Sequence, residues 1–150
     1  RKNWSLVLVG PEDDAFKNSN LHSLPNVYFL GRKDASELPN YVKGFDVAMN
    51  PQAINNLTIG NYPRKIDEYL AMGKPVIATK TTAMEMFKDF VYLASTGQEY
   101  ISLIEKALSE NAIELSKKRI DFARSHTWSS NVSAIYNAII NATKHRLKWD

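Results

Sequence analysis

Five short apolar segments recur along the sequence, and each is followed by glycine, proline or a small polar residue. They are Ser5–Val9, Asn26–Leu30, Phe45–Met49, Pro75–Ala78 and Phe90–Ala94. Polar and apolar residues do not alternate within them, as they would in strands with one solvated face. Continuous apolar runs of this length are typical of strands covered on both faces, which occur in parallel sheets. The segments therefore predict a parallel sheet between layers of helices.

Amphipathic segments lie between and after these strands. Apolar residues at helical spacing predict helices around Leu38–Val42, Arg64–Met72, Tyr100–Leu108 and Ile120–Ala123, and a final helix from Ser129 to about Leu147. Gly73 follows the second of these helices, where a left-handed residue is preferred. Alternation of strands and helices that closes in helices predicts an α/β, Rossmann-like, doubly wound fold. We expect Trp128 and Tyr136 to pack in the core or at a domain interface.

The composition fits one cytoplasmic domain. Its 150 residues match the usual size of a domain. No stretch approaches the roughly 18–20 apolar residues that a membrane span needs, and no basic and then apolar leader opens the sequence. The lack of cysteine favours a reducing compartment and excludes thiolate metal ligands. Since His22 and His126 also lack metal-ligand spacing, we expect no metal and no cofactor.

Positive charge is concentrated near the end of the sequence. The net charge is +3, and residues 116–150 hold seven Lys or Arg against two Asp. Such a segment can face an anionic membrane, in a peripheral contact at its inner face, or an acidic partner, or form a solvated helix face. Nucleic acid is not favoured as a partner because no aromatic platform is spaced for base stacking.

The connection between Met49 and Pro63 has neither helical nor strand periodicity. Structureless loops of about this length in compact domains are usually functional. This loop follows the carboxyl end of a predicted strand, which is where open α/β sheets bind ligands. It therefore marks the first candidate site.

The segment after this loop carries groups suited to a nucleotide. Pro63 fits the first turn of a helix, whose free amides and positive dipole end favour phosphate. Lys65 can add a charge to a diphosphate, and the Glu68 carboxylate can accept hydrogen bonds from the two hydroxyls of a ribose. The alternative is that Lys65 and Glu68 form only an exposed ion pair on the helix. The residues alone leave both interpretations open.

The sequence lacks the motifs of several other classes of protein. The sequence contains no Gly-x-Gly-x-x-Gly, no phosphate-binding loop with a Walker lysine and no Gly-x-Ser-x-Gly elbow. A receiver-like interaction domain would need an aspartate after a middle strand, and the segment Met49–Pro51 offers none.

The segment Pro63–Ala78 resembles the donor-binding region of retaining GT-B glycosyltransferases of the group 1 (family four) type. In that family a helix with a glutamate runs into glycine and then a Pro-Val-Val-Ala strand, as Glu68, Gly73 and Pro75–Ala78 do here. The likeness extends back through 26–31, 38–41 and 45–51 and forward to Ser125–Trp128. It covers nearly the whole chain as the C-terminal, nucleotide-sugar-binding half of such an enzyme.

The resemblance implies roles for particular residues. Glu68 matches the second of a pair of glutamates and would bind the ribose, whereas the first falls at Gly60 and is missing. Asn61, Tyr62 and Pro63 match the loop whose amides meet the diphosphate and the sugar. Gly31 and Arg32 match the edge where the nucleobase lies. Lys65 would stabilise charge on the diphosphate as the glycosidic bond breaks.

The resemblance also implies what these residues do together. We expect residues 1–150 to bind a nucleoside-diphosphate sugar as the donor half of a glycosyltransferase acting with retention. The first strand of this half and an N-terminal acceptor half would lie upstream of Arg1. The 150 residues alone are therefore expected to transfer no sugar. The alternative is a non-catalytic nucleotide-binding module of the same fold, which Gly60 makes plausible.

Overall fold

A computed structural model describes residues 1–56, 58–110 and 112–146. The chain divides into two compact units, Arg1–Tyr41 and Val42–Asp150. Each unit is built on its own parallel sheet.

The first unit contains a two-stranded sheet. Strands β1 (Leu6–Leu8) and β2 (Val27–Phe29) pair in parallel, with Leu6 opposite Val27. Helix α1 (Asp14–Lys17) and a 3₁₀ helix (Asn20–Ser23) connect them. Asp13 caps α1 by accepting a hydrogen bond from the Phe16 amide at 2.9 Å. Helix α2 (Leu38–Gly44) crosses the division between the units.

The second unit contains a three-stranded parallel sheet in the order β3-β4-β5. The strands are β3 (Ala48–Asn50), β4 (Val76–Thr79) and β5 (Tyr92–Ala94). The helices are α3 (Arg64–Ala71), α4 (Gly97–Ser109), α5 (Ile113–Ser125) and α6 (Trp128–Arg146), with a 3₁₀ helix (Thr82–Phe87) between β4 and β5. Parallel sheets with flanking helices confirm the predicted α/β, Rossmann-like class.

The central strand β4 explains why the sequence has apolar runs without alternation. Val76 and Ala78 pack in one cluster with Ile66 and Leu70 of α3, whereas Ile77 packs in another cluster with residues of β5 and α4. All of these side chains are fully buried. Burying a valine, leucine or isoleucine side chain contributes about 1.5–3 kcal/mol. Because both faces of β4 are covered at Val76, Ile77 and Ala78, these three positions favour apolar residues.

The structure corrects some predicted details. All five strands form. Four of them are shorter than the apolar segments, whereas β4 is as long as its segment but begins one residue later. Helix α1 and the two 3₁₀ helices were not predicted because they are short and lack an apolar period. Pro63 precedes α3 as its N-cap, with φ −85° and ψ 79°, instead of lying in the first turn. The predicted end of the last helix, Leu147, lies outside the described residues.

The prediction that Trp128 and Tyr136 pack in the core is wrong. Trp128 is 76% exposed and Tyr136 is 64% exposed. Both lie on α6, where every side chain from Trp128 to Lys144 is exposed. Their aromatic character therefore does not reflect burial against the described part of the second unit, and packing at a domain interface stays a prediction.

Gly73 provides a stability test of how α3 ends. Its φ is +70°, and an added Cβ would overlap Ser116 Oγ on α5. We expect Gly73→Ala to lower the free energy of unfolding by about 1–3 kcal/mol, because alanine is strained in this conformation and Ser116 must also move. Urea denaturation measures this effect. Gly97→Ala is the matched control, since Gly97 begins α4 and a Cβ there meets nothing within 4 Å. A variant at Gly73 as stable as the parent would contradict the prediction.

Candidate functional site

The loop after β3 is held in place by hydrogen bonds at the carboxyl edge of the sheet. The Gln52 amide donates to Thr79 Oγ1 at the end of β4, at 2.9 Å. The Gln52 side chain donates to the Thr58 carbonyl at 2.8 Å. These two bonds tie the start of the loop to β4 and to its own later part. Gln52 is therefore fixed at the sheet edge and in contact with Thr58.

Tyr100 connects the same edge to helix α4. Its hydroxyl lies 2.9 Å from Thr79 Oγ1 and donates to the Asn50 carbonyl at 3.2 Å. Burial raises the pKa of Tyr100, while the hydrogen bond with Thr79 acts in the opposite direction. The neutral phenol is thus the form that fixes the ends of β3 and β4 relative to α4. From the sequence, Tyr100 was assigned only to an apolar helix face. Its hydroxyl group was the feature that could have indicated the hydrogen bonds with Thr79 and Asn50.

The residues predicted to meet the diphosphate form the turn that leads into α3. Gly60, Asn61 and Tyr62 are exposed, and Pro63 is half-buried. The Asn61 amide donates to the Thr58 carbonyl at 3.2 Å, so this amide already has a partner. The Arg64 amide likewise donates to the Tyr62 carbonyl at 3.1 Å. The turn is therefore shaped by its own backbone.

Tyr62 is fixed by a residue that sequence reasoning missed. Its hydroxyl donates to Asp67 Oδ2 of α3 at 2.5 Å, and its ring lies 5.8 Å from the ring of Phe87. Loss of solvation, followed by the hydrogen bond and the negative charge of Asp67, raises the pKa of Tyr62 above its usual range. No motif indicated this pair, because only the fold of the turn brings position 62 onto position 67.

Lys65 and Glu68 lie on the exposed face of α3, opposite the fully buried Ile66 and Leu70. Among the described residues no ion pair joins Lys65 to Glu68. The interpretation of these two residues as a helix ion pair therefore finds no support in the structure. Both charges are available to a ligand that lies along the start of α3.

Gly60 leaves room for the side chain that it lacks. It is exposed, and a Cβ built on it meets nothing within 4 Å. The local backbone thus leaves space for a side chain at position 60, so it does not explain why the carboxylate is missing.

Gly31 and Arg32 belong to the first unit, and the other predicted site residues belong to the second. Gly31 follows β2 with a φ of +65°, and its carbonyl accepts a hydrogen bond from the Gly10 amide at 3.0 Å. Arg32 is exposed. Together Gly10 and Gly31 form the carboxyl edge of the two-stranded sheet, which is the position predicted for the nucleobase.

The described residues contain no group of three or more His, Asp or Glu side chains arranged to hold a metal ion. His22 instead pairs with Glu12 at 2.8 Å, and His126 packs against the ring of Phe122. Within the same part of the chain, no helix is long and apolar enough to cross a membrane.

Comparisons with known proteins agree on one family. The family model described as "Glycosyl transferases group 1" matches residues 1–115. A Bacillus subtilis (strain 168) protein named as a teichuronic acid biosynthesis glycosyltransferase, TuaH, is 32% identical over 138 residues. That alignment covers 86% of this chain and 34% of TuaH, so the chain spans about a third of the length of this relative.

A solved structure has the same fold. The crystal structure of Anabaena Alr3699/HepE in complex with UDP superposes with a TM-score of 0.67 and 16% sequence identity. The match covers 93% of this chain and 41% of the Anabaena chain.

Proposed function

The chain belongs to the group 1 glycosyltransferases, and from this premise we propose that it binds the nucleoside diphosphate of a sugar donor. The observation that carries the proposal is the start of α3. There the exposed Lys65 and Glu68 follow a loop that is anchored at the carboxyl edge of a parallel sheet. The UDP complex of the Anabaena protein supports uridine diphosphate as the first nucleotide to test.

Each charged side chain takes one part of the donor. Glu68 accepts hydrogen bonds from the ribose hydroxyls, and Lys65 places its ammonium group on the diphosphate. The amino-terminal end of α3 adds the positive end of the helix dipole. The turn Gly60–Pro63 lies along the diphosphate and the sugar. The role of Gly31 and Arg32 at the nucleobase stays a prediction from the family resemblance.

Catalysis rests on electrostatic stabilisation of the leaving group. As the bond between the anomeric carbon and the diphosphate breaks, negative charge accumulates on the diphosphate oxygens. Lys65 and the start of α3 stabilise that charge where it develops. The sugar passes, with retention, to an acceptor held by a second half of the enzyme that is not among these 150 residues.

Three further points stay predictions. They are a site without metal or cofactor, a cytoplasmic location, and a peripheral membrane contact through the basic segment 116–150. The membrane contact would suit an acceptor at an anionic membrane surface.

Gly60 favours a second candidate function. Since no carboxylate stands at this position, a module that binds a nucleotide without turnover is the alternative. Sugar transfer assayed with the proposed acceptor half present separates the two candidates, since only the enzyme releases nucleoside diphosphate in proportion to glycosylated product.

A thermal-shift screen with UDP, GDP, ADP and dTDP tests the proposal. A ligand that binds only the folded protein raises the free energy of unfolding by about 2.7 kcal/mol at a hundredfold excess over its dissociation constant. We expect at least one of these nucleotides to raise the melting temperature. No shift with any of them, at millimolar concentration, would contradict the proposal.

Lys65 provides a selective prediction. We expect Lys65→Ala to weaken UDP binding by about 5- to 10-fold and uridine binding hardly at all, because only the diphosphate meets the ammonium group. The loss should shrink as salt rises, since an exposed charge is screened. Calorimetric titration at two salt concentrations measures both effects. Lys117→Ala is the control, because Lys117 is an exposed lysine on α5. Equal losses for uridine and UDP would point to a disturbed helix.

A further inference from the structure

We infer that Asp67 is a positioning residue for the candidate site. Its carboxylate holds the phenol of Tyr62 and thereby fixes the turn Gly60–Pro63 in front of α3. The hydrogen bond between Tyr62 and Asp67 does not depend on any function, whereas its effect on ligand binding rests on the proposed function.

The hydrogen bond joins the turn to the helix across five positions of sequence. The Tyr62 hydroxyl donates to Asp67 Oδ2 at 2.5 Å, which is the short distance typical of a bond to an ionised acceptor. Asp67 lies in the first turn of α3, where the positive end of the helix dipole stabilises a negative charge. The hydrogen bond therefore ties the side chain of Tyr62 to the first turn of α3.

The second carboxylate oxygen indicates that an aspartate at position 67 is unfavourable for the stability of the fold. Asp67 Oδ1 is buried and has no hydrogen-bond partner among the described residues. A buried oxygen without a partner is unfavourable, and an apolar side chain at this border of the core would avoid it. An apolar side chain at position 67 could not accept the hydrogen bond that Asp67 Oδ2 receives from Tyr62.

Tyr62 transmits this restraint to the backbone of the turn. Its ring packs against the buried Phe87, and its carbonyl accepts a hydrogen bond from the Arg64 amide at 3.1 Å. Side chain and main chain of Tyr62 are thus both held. Gln52 and Thr58 hold the earlier part of the loop. Asp67 holds its last part, the turn that ends just before α3 begins.

A double-mutant cycle tests the inference. The variants are Tyr62→Phe, Asp67→Ala and the two combined, with Asp67→Asn as the conservative variant that keeps an acceptor oxygen. Tyr92→Phe is the matched control, because the Tyr92 hydroxyl donates to another carboxylate, Glu110 Oε2, at 3.1 Å in the same unit. The readouts are amide hydrogen exchange of residues 58–66 without ligand, the dissociation constant of UDP, and the melting temperature.

We expect Tyr62→Phe and Asp67→Ala each to speed exchange in the turn and to weaken UDP binding by about 3- to 10-fold. The double variant should exchange no faster in the turn and bind UDP no more weakly than either single variant, since both substitutions remove the same contact. Asp67→Asn should be intermediate, and Tyr92→Phe should leave exchange in the turn and UDP binding unchanged.

Unchanged exchange in both single variants would overturn the inference, and so would effects that add in the double variant. A lower melting temperature with unchanged exchange and UDP affinity would show that Asp67 serves only stability and would equally overturn it. If the parent protein binds no UDP while the variants speed exchange in a non-additive way, the positioning role stands and the proposed nucleotide site fails.

Discussion

No sustained sugar transfer is expected from a polypeptide limited to residues 1–150, although it should bind UDP with a dissociation constant of about tens of micromolar to millimolar. In the proposed enzyme, the acceptor and its orienting groups belong to a second half. Positioning two reactants supplies about 7–11 kcal/mol of the barrier, so its loss removes nearly all of the rate. This is the largest effect that we predict.

A radiolabelled donor measures this expectation directly. Product is counted after incubation of the 150-residue polypeptide with donor and a panel of acceptors, and UDP titration in parallel shows that the polypeptide is folded and binds. Sustained transfer to any added acceptor would contradict the prediction. Sub-micromolar affinity for the donor would contradict it as well.

The second largest effect is expected at Glu68. Replacing Glu68 with alanine removes one or two hydrogen bonds between ribose hydroxyls and a charged acceptor, which are worth about 1.5–3 kcal/mol. UDP affinity should therefore fall by roughly 10- to 150-fold. Glu68→Gln keeps an acceptor oxygen without the charge and should give an intermediate loss. Calorimetric titration with UDP measures both variants.

Glu114→Ala is the control for this experiment. Glu114 is an exposed glutamate in the first turn of α5, as Glu68 is an exposed glutamate on α3. Its replacement should leave UDP affinity unchanged. If Glu68→Ala binds UDP, GDP, ADP and dTDP as well as the parent does, Glu68 is not the ribose ligand.

The sheet was predictable because burial on both faces leaves a strong pattern. Val76, Ile77 and Ala78 read as one apolar run, and the structure buries all of them. The end of α3 was predictable for a different reason: Gly73 adopts a φ of +70°, which few other residues tolerate. Such local rules act within a few residues and can be read directly from the sequence.

The contacts that shape the candidate site could not be predicted in this way. Asp67 meets Tyr62, and Tyr100 meets Thr79, only after the turn and the sheet have formed. Neither pair has a spacing that a helix or a strand imposes. The exposure of Trp128 could not be predicted, because an apolar period shows which residues share a helix face but not whether the described chain covers that face.

The central claim is that a nucleoside diphosphate binds at the start of α3, and amide hydrogen exchange with and without saturating UDP tests it most directly. If this claim is right, amide exchange at residues 58–68 is slower when UDP is bound. This protection is lost in Glu68→Ala at the same UDP concentration. A concave surface elsewhere in the second unit, lined by residues such as Lys88, Tyr92, Lys118 and Arg119, serves as the internal comparison. Protection there, with unchanged exchange at residues 58–68, would contradict the claim.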